Sequence, residues 1–85
     1  MTAKVEIYGT SNCRKCVDVR ALLDRYGIEY ISHLIDLMPV EKDAMFRRCG
    51  RKYYPQIFIN DEHIGGEEEL MLLEADGRLK ELLGM

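Results

Sequence analysis

Hydrophobic and polar residues alternate near the amino terminus and then recur at helical spacing. Alternation over residues 3–8 predicts a first strand. Apolar side chains three and four positions apart predict a helix over residues 14–26. A β-branched and aromatic stretch at residues 28–35 predicts a second strand. Because a helix separates the two strands, we expect them to be parallel and joined by a right-handed crossover.

The second half of the chain predicts another helix, a hairpin and two final helical segments. Pro39 suits the first position of a helix over residues 39–49. Isoleucines on both sides of a polar turn predict a β-hairpin over residues 56–64. Three glutamates at residues 67–69 predict the start of a third helix, because acidic side chains favour that end of a helix dipole. A short helical turn follows near the C-terminus.

These elements together predict an α/β fold. We expect a four-stranded mixed sheet, made of a parallel β-α-β unit and an antiparallel hairpin, flanked by three to four helices. A chain of 85 residues suffices for one domain with a small core. We place this single domain at residues 1–85.

Composition and charge narrow the functional classes. A hydrophobic content of 47% with 32% charged residues is typical of a globular chain. No apolar run approaches the length of a membrane span, and the first residues lack the apolar region of a secretory signal. A net charge of −3 offers no basic footprint for nucleic acid. We therefore expect a cytoplasmic protein that binds neither membranes nor nucleic acid.

The strongest candidates for reactive residues are Cys13 and Cys16, which are separated by Arg14 and Lys15. They lie where the first predicted strand meets the first turn of the helix. Unpaired backbone N–H groups, the helix dipole and the two cations all favour a thiolate there and lower the pKa of a cysteine. We expect Cys13 to be the nucleophile and Cys16, one turn further on, to be buried and placed to close a disulfide.

Other interpretations of the cysteine pair fit less well. A structural disulfide stabilises little when it closes so short a loop. A zinc site needs about four ligands, and besides the pair the chain offers only Cys49, His33 and His63. Redox chemistry is therefore favoured. We expect Cys49 at the edge of the core and His33 facing solvent. A set of basic residues is expected to form a solvated face: Arg47, Arg48, Arg51 and Lys52.

Two further motifs flank the predicted hairpin. Pro55 stands at the mouth of a strand, where proline cannot donate a ladder hydrogen bond and often marks a turn or a cis bond. Gly65 and Gly66 remove side chains where a backbone or a ligand must approach closely.

In this order and spacing, the motifs resemble those of the dithiol glutaredoxins, whose fold is the thioredoxin fold in its minimal form. The resemblance spans about residues 4–83, nearly the whole chain. It rests on four segments: Val5-Glu6-Ile7-Tyr8, Ala21-Leu22-Leu23, Tyr54-Pro55-Gln56-Ile57-Phe58-Ile59 and His63-Ile64-Gly65-Gly66.

The resemblance implies a glutathione-dependent thiol–disulfide oxidoreductase that reduces protein disulfides and glutathione mixed disulfides. Cys13 would attack the mixed disulfide, and Cys16 would resolve it or close the internal disulfide. Glutathione would serve as co-substrate, with no metal. The implied partners are disulfide-containing proteins, with ribonucleotide reductase as one candidate, and the protein would be a monomer.

The resemblance also implies a glutathione site. Pro55 would be cis and would place the backbone of Tyr54 against the cysteinyl unit of glutathione. The residues after Gly66 would hold its γ-glutamyl end. The implied glutathione-binding residues are Lys15, Tyr53, Tyr54, Pro55, Gly66, Glu67 and Glu68.

The chain departs from the family pattern at four places. One is the run Glu67-Glu68-Glu69, which is more acidic than the family's usual small residue followed by aspartate. Arg14-Lys15 stands where the family usually has Pro-Tyr, and Tyr53-Tyr54 replaces a smaller Thr-Val pair. Thr10 replaces a lysine that binds a glutathione carboxylate.

These departures generate one hypothesis and two alternatives. We hypothesise that Lys15, with Arg51 or Lys52, replaces the lost cation. Because Thr10 replaces the lysine, one alternative is that the protein is a redoxin recharged by thioredoxin reductase. Because Arg14 replaces the proline, the other alternative is that it carries an iron–sulfur cluster bridged by glutathione.

Overall fold

The computed structural model describes residues 3–85, and in these residues the predicted α/β architecture is confirmed. The strands are β1 (Val5–Gly9), β2 (Ile31–Leu34), β3 (Gln56–Ile59) and β4 (Glu62–Gly65). The helices are α1 (Arg14–Arg25), α2 (Pro39–Cys49), α3 (Glu67–Ala75) and α4 (Leu79–Leu82). None of these helices combines the length and the apolar character needed to span a bilayer.

The strands form one mixed sheet in the order β2-β1-β3-β4. β1 and β2 are parallel, as predicted for a β-α-β unit, whereas β3 is antiparallel to both β1 and β4. β2 is shorter than the predicted residues 28–35. Ile28 is buried, and its N–H donates to the carbonyl of Leu23 at 3.1 Å, so this residue completes the end of α1 instead of joining the sheet.

The two faces of the sheet carry different cores, because successive strand residues point to opposite sides. The face covered by α1, α3 and α4 carries the larger cluster: Val5, Ile7, Val19, Leu22, Leu23, Ile28, Ile57, Ile59, Leu70, Leu79 and Leu83. The face covered by α2 carries a smaller cluster: Tyr8, Ile35, Met45 and Phe58.

Only part of the apolar side of α2 is buried. Met45 is fully buried and Cys49 is half-buried against the smaller cluster, whereas Phe46 remains 46% exposed. Successive side chains are about 100° apart around the axis of an α-helix. When Met45 points toward the sheet, the next side chain, Phe46, is therefore turned out of the contact with the sheet.

A charged network lies beneath α2 and corrects two expectations. Arg48 donates to Glu6 through Nη1 at 3.0 Å and through Nη2 at 3.2 Å, and its guanidinium carbon lies 3.9 Å from the ring centroid of Phe58. The two ring nitrogens of His33 contact Glu6 and Glu41. His33 is therefore not solvent-facing, and Arg48 is not part of a solvated face, because α2 packs over the side of the sheet where both side chains lie.

The network keeps Glu6 ionised. Burial raises the pKa of the Glu6 carboxyl, but the hydrogen bonds from Arg48 and His33 and the charge of Arg48 outweigh it, so the net pKa lies below its ordinary value. A carboxyl whose pKa is lower in the folded than in the unfolded chain stabilises the fold above its unfolded pKa of about 4.3. That stabilisation is lost as the pH falls through the lower, folded value.

We predict that Glu6→Gln lowers the free energy of unfolding by about 1–3 kcal/mol at pH 7, because Arg48 and His33 lose a charged hydrogen-bond partner. Urea denaturation at pH 7 and pH 3 measures the effect. The difference from the wild type is expected to shrink at pH 3. Glu62→Gln, at an exposed position, serves as the control. Equal losses at both pH values would contradict the assignment.

Candidate functional site

The two predicted redox cysteines lie at the junction of β1 and α1. Cys13 is the N-cap residue of α1 in an extended conformation, and its carbonyl accepts the first helical hydrogen bond from the Val17 N–H at 2.9 Å. Cys13 is half-buried, whereas Cys16 is completely buried, and both are free thiols. The first thiol is accessible at the helix start and the second is enclosed, as the sequence predicts.

Gly9 allows the Cys16 sulfur to pack against the end of β1. A Cβ atom at Gly9 would lie 2.5 Å from the Cys16 Sγ, far inside van der Waals contact. This role of Gly9 was not predicted from the sequence. Its signal is a glycine at the last position of a strand, immediately before the loop that leads to the cysteines.

The two thiols have opposite electrostatic environments. Burial raises the pKa of Cys13, but the backbone N–H and the thiol of Cys16, together with the backbone N–H and the charge of Lys15, outweigh it and make the net shift downward. Burial raises the pKa of Cys16 to about 11, with Cys13 adding to the rise and the Thr10 N–H opposing it. Cys13 is therefore the thiol that ionises first and the better placed to act as a nucleophile.

The two cations between the cysteines do not act alike. Lys15 is the one that lowers the pKa of Cys13. Arg14 points into solvent with 89% of its side chain exposed, and its Nε lies 3.5 Å from the Asp18 Oδ1 in an ion pair one helical turn away.

A pocket of about 150 Å³ opens beside Lys15. It brings together segments from the start of α1, the loop before β3 and the start of α3, and the Tyr54–Pro55 bond in this loop is cis. All seven residues predicted for the glutathione site line this pocket, and Glu69 joins them. The lining residues are Lys15, Tyr53, Tyr54, Pro55, Gly66, Glu67, Glu68 and Glu69.

The pocket is positive on one side and negative on the other. Lys15 is the one cation among its described lining residues, and Glu67 and Glu68 lie at the start of α3. Arg51 instead forms an ion pair with Glu69 at 3.2 Å, and Lys52 lies over the Phe46 ring at 5.2 Å from its centroid. Of the three cations in the hypothesis, Lys15 is the one that borders the pocket.

Glu69 ties the Gly65-Gly66 turn to α3. Its Oε1 accepts the N–H of Gly66 at 2.7 Å, and this interaction is the main cause of its lowered pKa. A Cβ atom at Gly65, where φ is +127°, would lie 2.2 Å from the same oxygen. This role was not predicted from the sequence, although a glutamate three residues after a helix N-cap is the pattern of a capping box.

The remaining cysteine and the metal-ligating residue types form no second centre in the part of the chain described. Cys49 is half-buried, and its thiol donates to the carbonyl of Met45 at 3.1 Å, which agrees with a position at the edge of the core. Within residues 3–85, no cluster of three or more His, Cys, Asp or Glu side chains has a geometry suited to a metal ion.

Comparisons with known proteins agree with this geometry. The family model for glutaredoxin matches residues 5–64. The chain is 42% identical to a probable glutaredoxin of Synechocystis over 98% of this chain and 96% of that protein. It is 41% identical to glutaredoxin 3 of Escherichia coli K12 over 95% of this chain and 98% of that protein.

Solved structures show the same similarity. A complex of buckwheat glutaredoxin with glutathione superposes with a TM-score of 0.87 at 26% identity, covering 96% of this chain and 77% of the buckwheat chain. The solution structure of a glutaredoxin from Brucella melitensis superposes with a TM-score of 0.81 at 38% identity, covering 96% of this chain and 89% of that one.

We predict that Gly9→Ala lowers the free energy of unfolding by about 1–3 kcal/mol, because the added methyl group overlaps the Cys16 sulfur. Urea denaturation of the reduced protein measures the loss. The control is the same substitution in a Cys16→Ala background, where the overlapping sulfur is absent and the cost is expected to be smaller. An equal cost in both backgrounds would exclude a sulfur contact as the cause.

We predict that Lys15→Gln raises the pKa of Cys13, because the thiolate loses a neighbouring positive charge. The rate of Cys13 alkylation by iodoacetamide, followed against pH in a Cys49→Ala background, reports this pKa. Arg14→Gln is the matched control and is expected to leave the midpoint nearly unchanged, since Arg14 is paired with Asp18. Equal shifts for the two variants would show that both cations act on the thiolate.

Proposed function

Because the chain belongs to the glutaredoxin family and is a thiol–disulfide oxidoreductase, we propose that it uses glutathione as co-substrate and Cys13 with Cys16 as its redox pair. Its reactions would be the reduction of glutathione mixed disulfides and of protein disulfides. The observation that carries this proposal is the contrast between the two thiols, an accessible Cys13 with a lowered pKa and a buried Cys16 with a raised one.

The mixed-disulfide reaction would need only Cys13. Its thiolate attacks the glutathione sulfur, so a Cys13–glutathione disulfide forms while the original S–S bond breaks. The displaced thiolate leaves and takes a proton. A second glutathione thiolate then attacks the glutathione sulfur on Cys13, which releases oxidised glutathione and restores the Cys13 thiolate.

Protein disulfides would need both cysteines. Cys13 attacks one sulfur of the substrate disulfide and forms a mixed disulfide with the protein. Cys16 loses its proton and attacks the Cys13 sulfur, so the substrate leaves with both its sulfurs reduced and a Cys13–Cys16 disulfide remains. Two glutathione molecules then reduce this disulfide and become oxidised glutathione.

The pocket beside Lys15 supports glutathione as the co-substrate. Glutathione carries a carboxylate at its glycyl end and both an ammonium and a carboxylate at its γ-glutamyl end. Lys15, which borders the pocket, would pair with the glycyl carboxylate. The backbone N–H groups of Glu67 and Glu68, in the first turn of α3, suit the γ-glutamyl carboxylate, and their side chains suit the ammonium.

The cis bond before Pro55 supports the expected position for the cysteinyl unit. Tyr54 borders the same pocket as Lys15, in the loop that enters β3. Binding of the cysteinyl unit to this backbone would hold the glutathione sulfur near Cys13. The buckwheat glutaredoxin with a similar fold was crystallised with glutathione.

We also propose the setting in which this chemistry operates. The protein would act as a cytoplasmic monomer on disulfide-containing proteins, with ribonucleotide reductase as one candidate substrate. The reducing cytoplasm supplies the glutathione that both reactions consume.

We predict that the wild type turns over the mixed disulfide of β-mercaptoethanol and glutathione in an assay coupled to NADPH and glutathione reductase. Cys13→Ser is expected to abolish turnover, because the attacking thiolate is lost. Cys16→Ser is expected to retain it, because the reaction needs one thiol. Cys49→Ser is the matched control for loss of a cysteine away from the pocket.

A different pattern would reject glutathione as the co-substrate. The decisive result would be no turnover by the wild type together with insulin reduction driven by thioredoxin reductase. That pattern would place the protein with the redoxins that thioredoxin reductase recharges.

A further inference from the structure

Gln56 is a completely buried amide directly after Pro55, at the start of β3. Its Nε2 donates to the carbonyl oxygen of Tyr53 at 3.1 Å. Its Oε1 lies 2.7 Å from the Nε2 of His63 on β4. A buried amide is costly unless both ends find partners, and here the two partners come from the loop before the strand and from the neighbouring strand.

His63 determines which way the Gln56 amide points. With its proton on Nε2, the imidazole donates to the Gln56 Oε1, which turns the amide nitrogen toward Tyr53. The opposite orientation would place two acceptor oxygens, the Gln56 Oε1 and the Tyr53 carbonyl, against each other. The His63 ring packs against Phe58, with the two ring centroids 5.1 Å apart, so its position is itself held by the core.

The loop held by this hydrogen bond has little side-chain packing of its own. Tyr53 is 59% exposed and Tyr54 is 41% exposed, although both border the pocket beside Lys15. The partly buried hydrogen bond to the Tyr53 carbonyl therefore fixes the backbone one residue before Tyr54, whose backbone the proposed function assigns to glutathione.

We propose that Gln56, oriented by His63, is a positioning residue for glutathione binding: it holds the Tyr53 carbonyl so that the Tyr54 backbone faces the pocket. This inference rests on the proposed function, because it assigns the Tyr54 backbone to the glutathione site. The two hydrogen bonds form a relay from His63 on β4 through Gln56 to the Tyr53 carbonyl. None of the groups in this relay reacts with the substrate. It therefore acts on binding of glutathione and leaves the Cys13 thiol unchanged.

Two variants test the relay at different points. Gln56→Met keeps the length of the side chain and removes both hydrogen bonds. His63→Phe keeps a ring against Phe58 and removes only the donor to Gln56, while His63→Gln restores a donor. Ile64→Val, on the same strand, is the control for a loss of stability without a change in polar contacts.

We expect Gln56→Met to raise KM for the β-mercaptoethanol–glutathione mixed disulfide by about 3- to 10-fold, as loss of one ordering hydrogen bond implies. We expect kcat and the alkylation rate of Cys13 to change by less than about twofold, since the relay does not touch the thiol. His63→Phe is expected to change KM in the same direction, and His63→Gln to restore it in part. The Tyr54 amide signal in a ¹⁵N NMR spectrum is expected to shift in both impaired variants.

The proposal is overturned if a folded Gln56→Met protein has the wild-type KM, or if Ile64→Val raises KM as much at equal loss of stability. If Gln56→Met does not fold, His63→Phe and His63→Gln decide by the same criteria. Absence of turnover by the wild type would reject the proposed function instead. The Tyr54 amide signal would then decide the positioning role alone, and an unshifted signal in both variants would refute it.

Discussion

The burial of the Cys16 sulfur against the end of β1 is the contact on which the rest of the site depends. It requires a glycine at position 9, and it holds against the strand the start of α1, where Cys13 is the N-cap residue. Burial makes ionisation of Cys16 costly, while the helix start and Lys15 favour ionisation of Cys13. One packing constraint therefore makes two identical side chains chemically different.

The sheet brings the other half of the site to the cysteines. β3 is antiparallel to β1, so the loop that enters β3 lies at the same edge of the sheet as the residues that leave β1. The cis bond before Pro55 and the buried Gln56 shape this loop, and Glu69 joins the Gly65-Gly66 turn to α3. The pocket is thus assembled from three chain segments by backbone geometry and by a few partly buried polar contacts.

The opposite face of the sheet has a different role. Glu6, His33 and Arg48 form a charged network under α2, where apolar packing is limited to a small cluster. Their hydrogen bonds satisfy charges that would otherwise be costly to bury. The network holds α2 on the sheet, and α2 in turn leads into the loop that carries Tyr53 and Tyr54.

Local patterns in the sequence were sufficient for the elements, the parallel β-α-β unit and the cysteine pair, because strand alternation, helical spacing and turn residues depend on neighbouring positions. The resemblance of the sequence motifs to a known family predicted the cis bond before Pro55 and the residues that line the pocket. The roles of Gly9, Glu69, His33 and Arg48 were decided by the tertiary structure. Each of these roles depends on a contact that the local pattern does not specify: a sulfur against a strand end, a carboxylate on a turn, or a helix packed over an edge strand. Such contacts exist only once the chain has folded, because packing decides which polar groups are buried together.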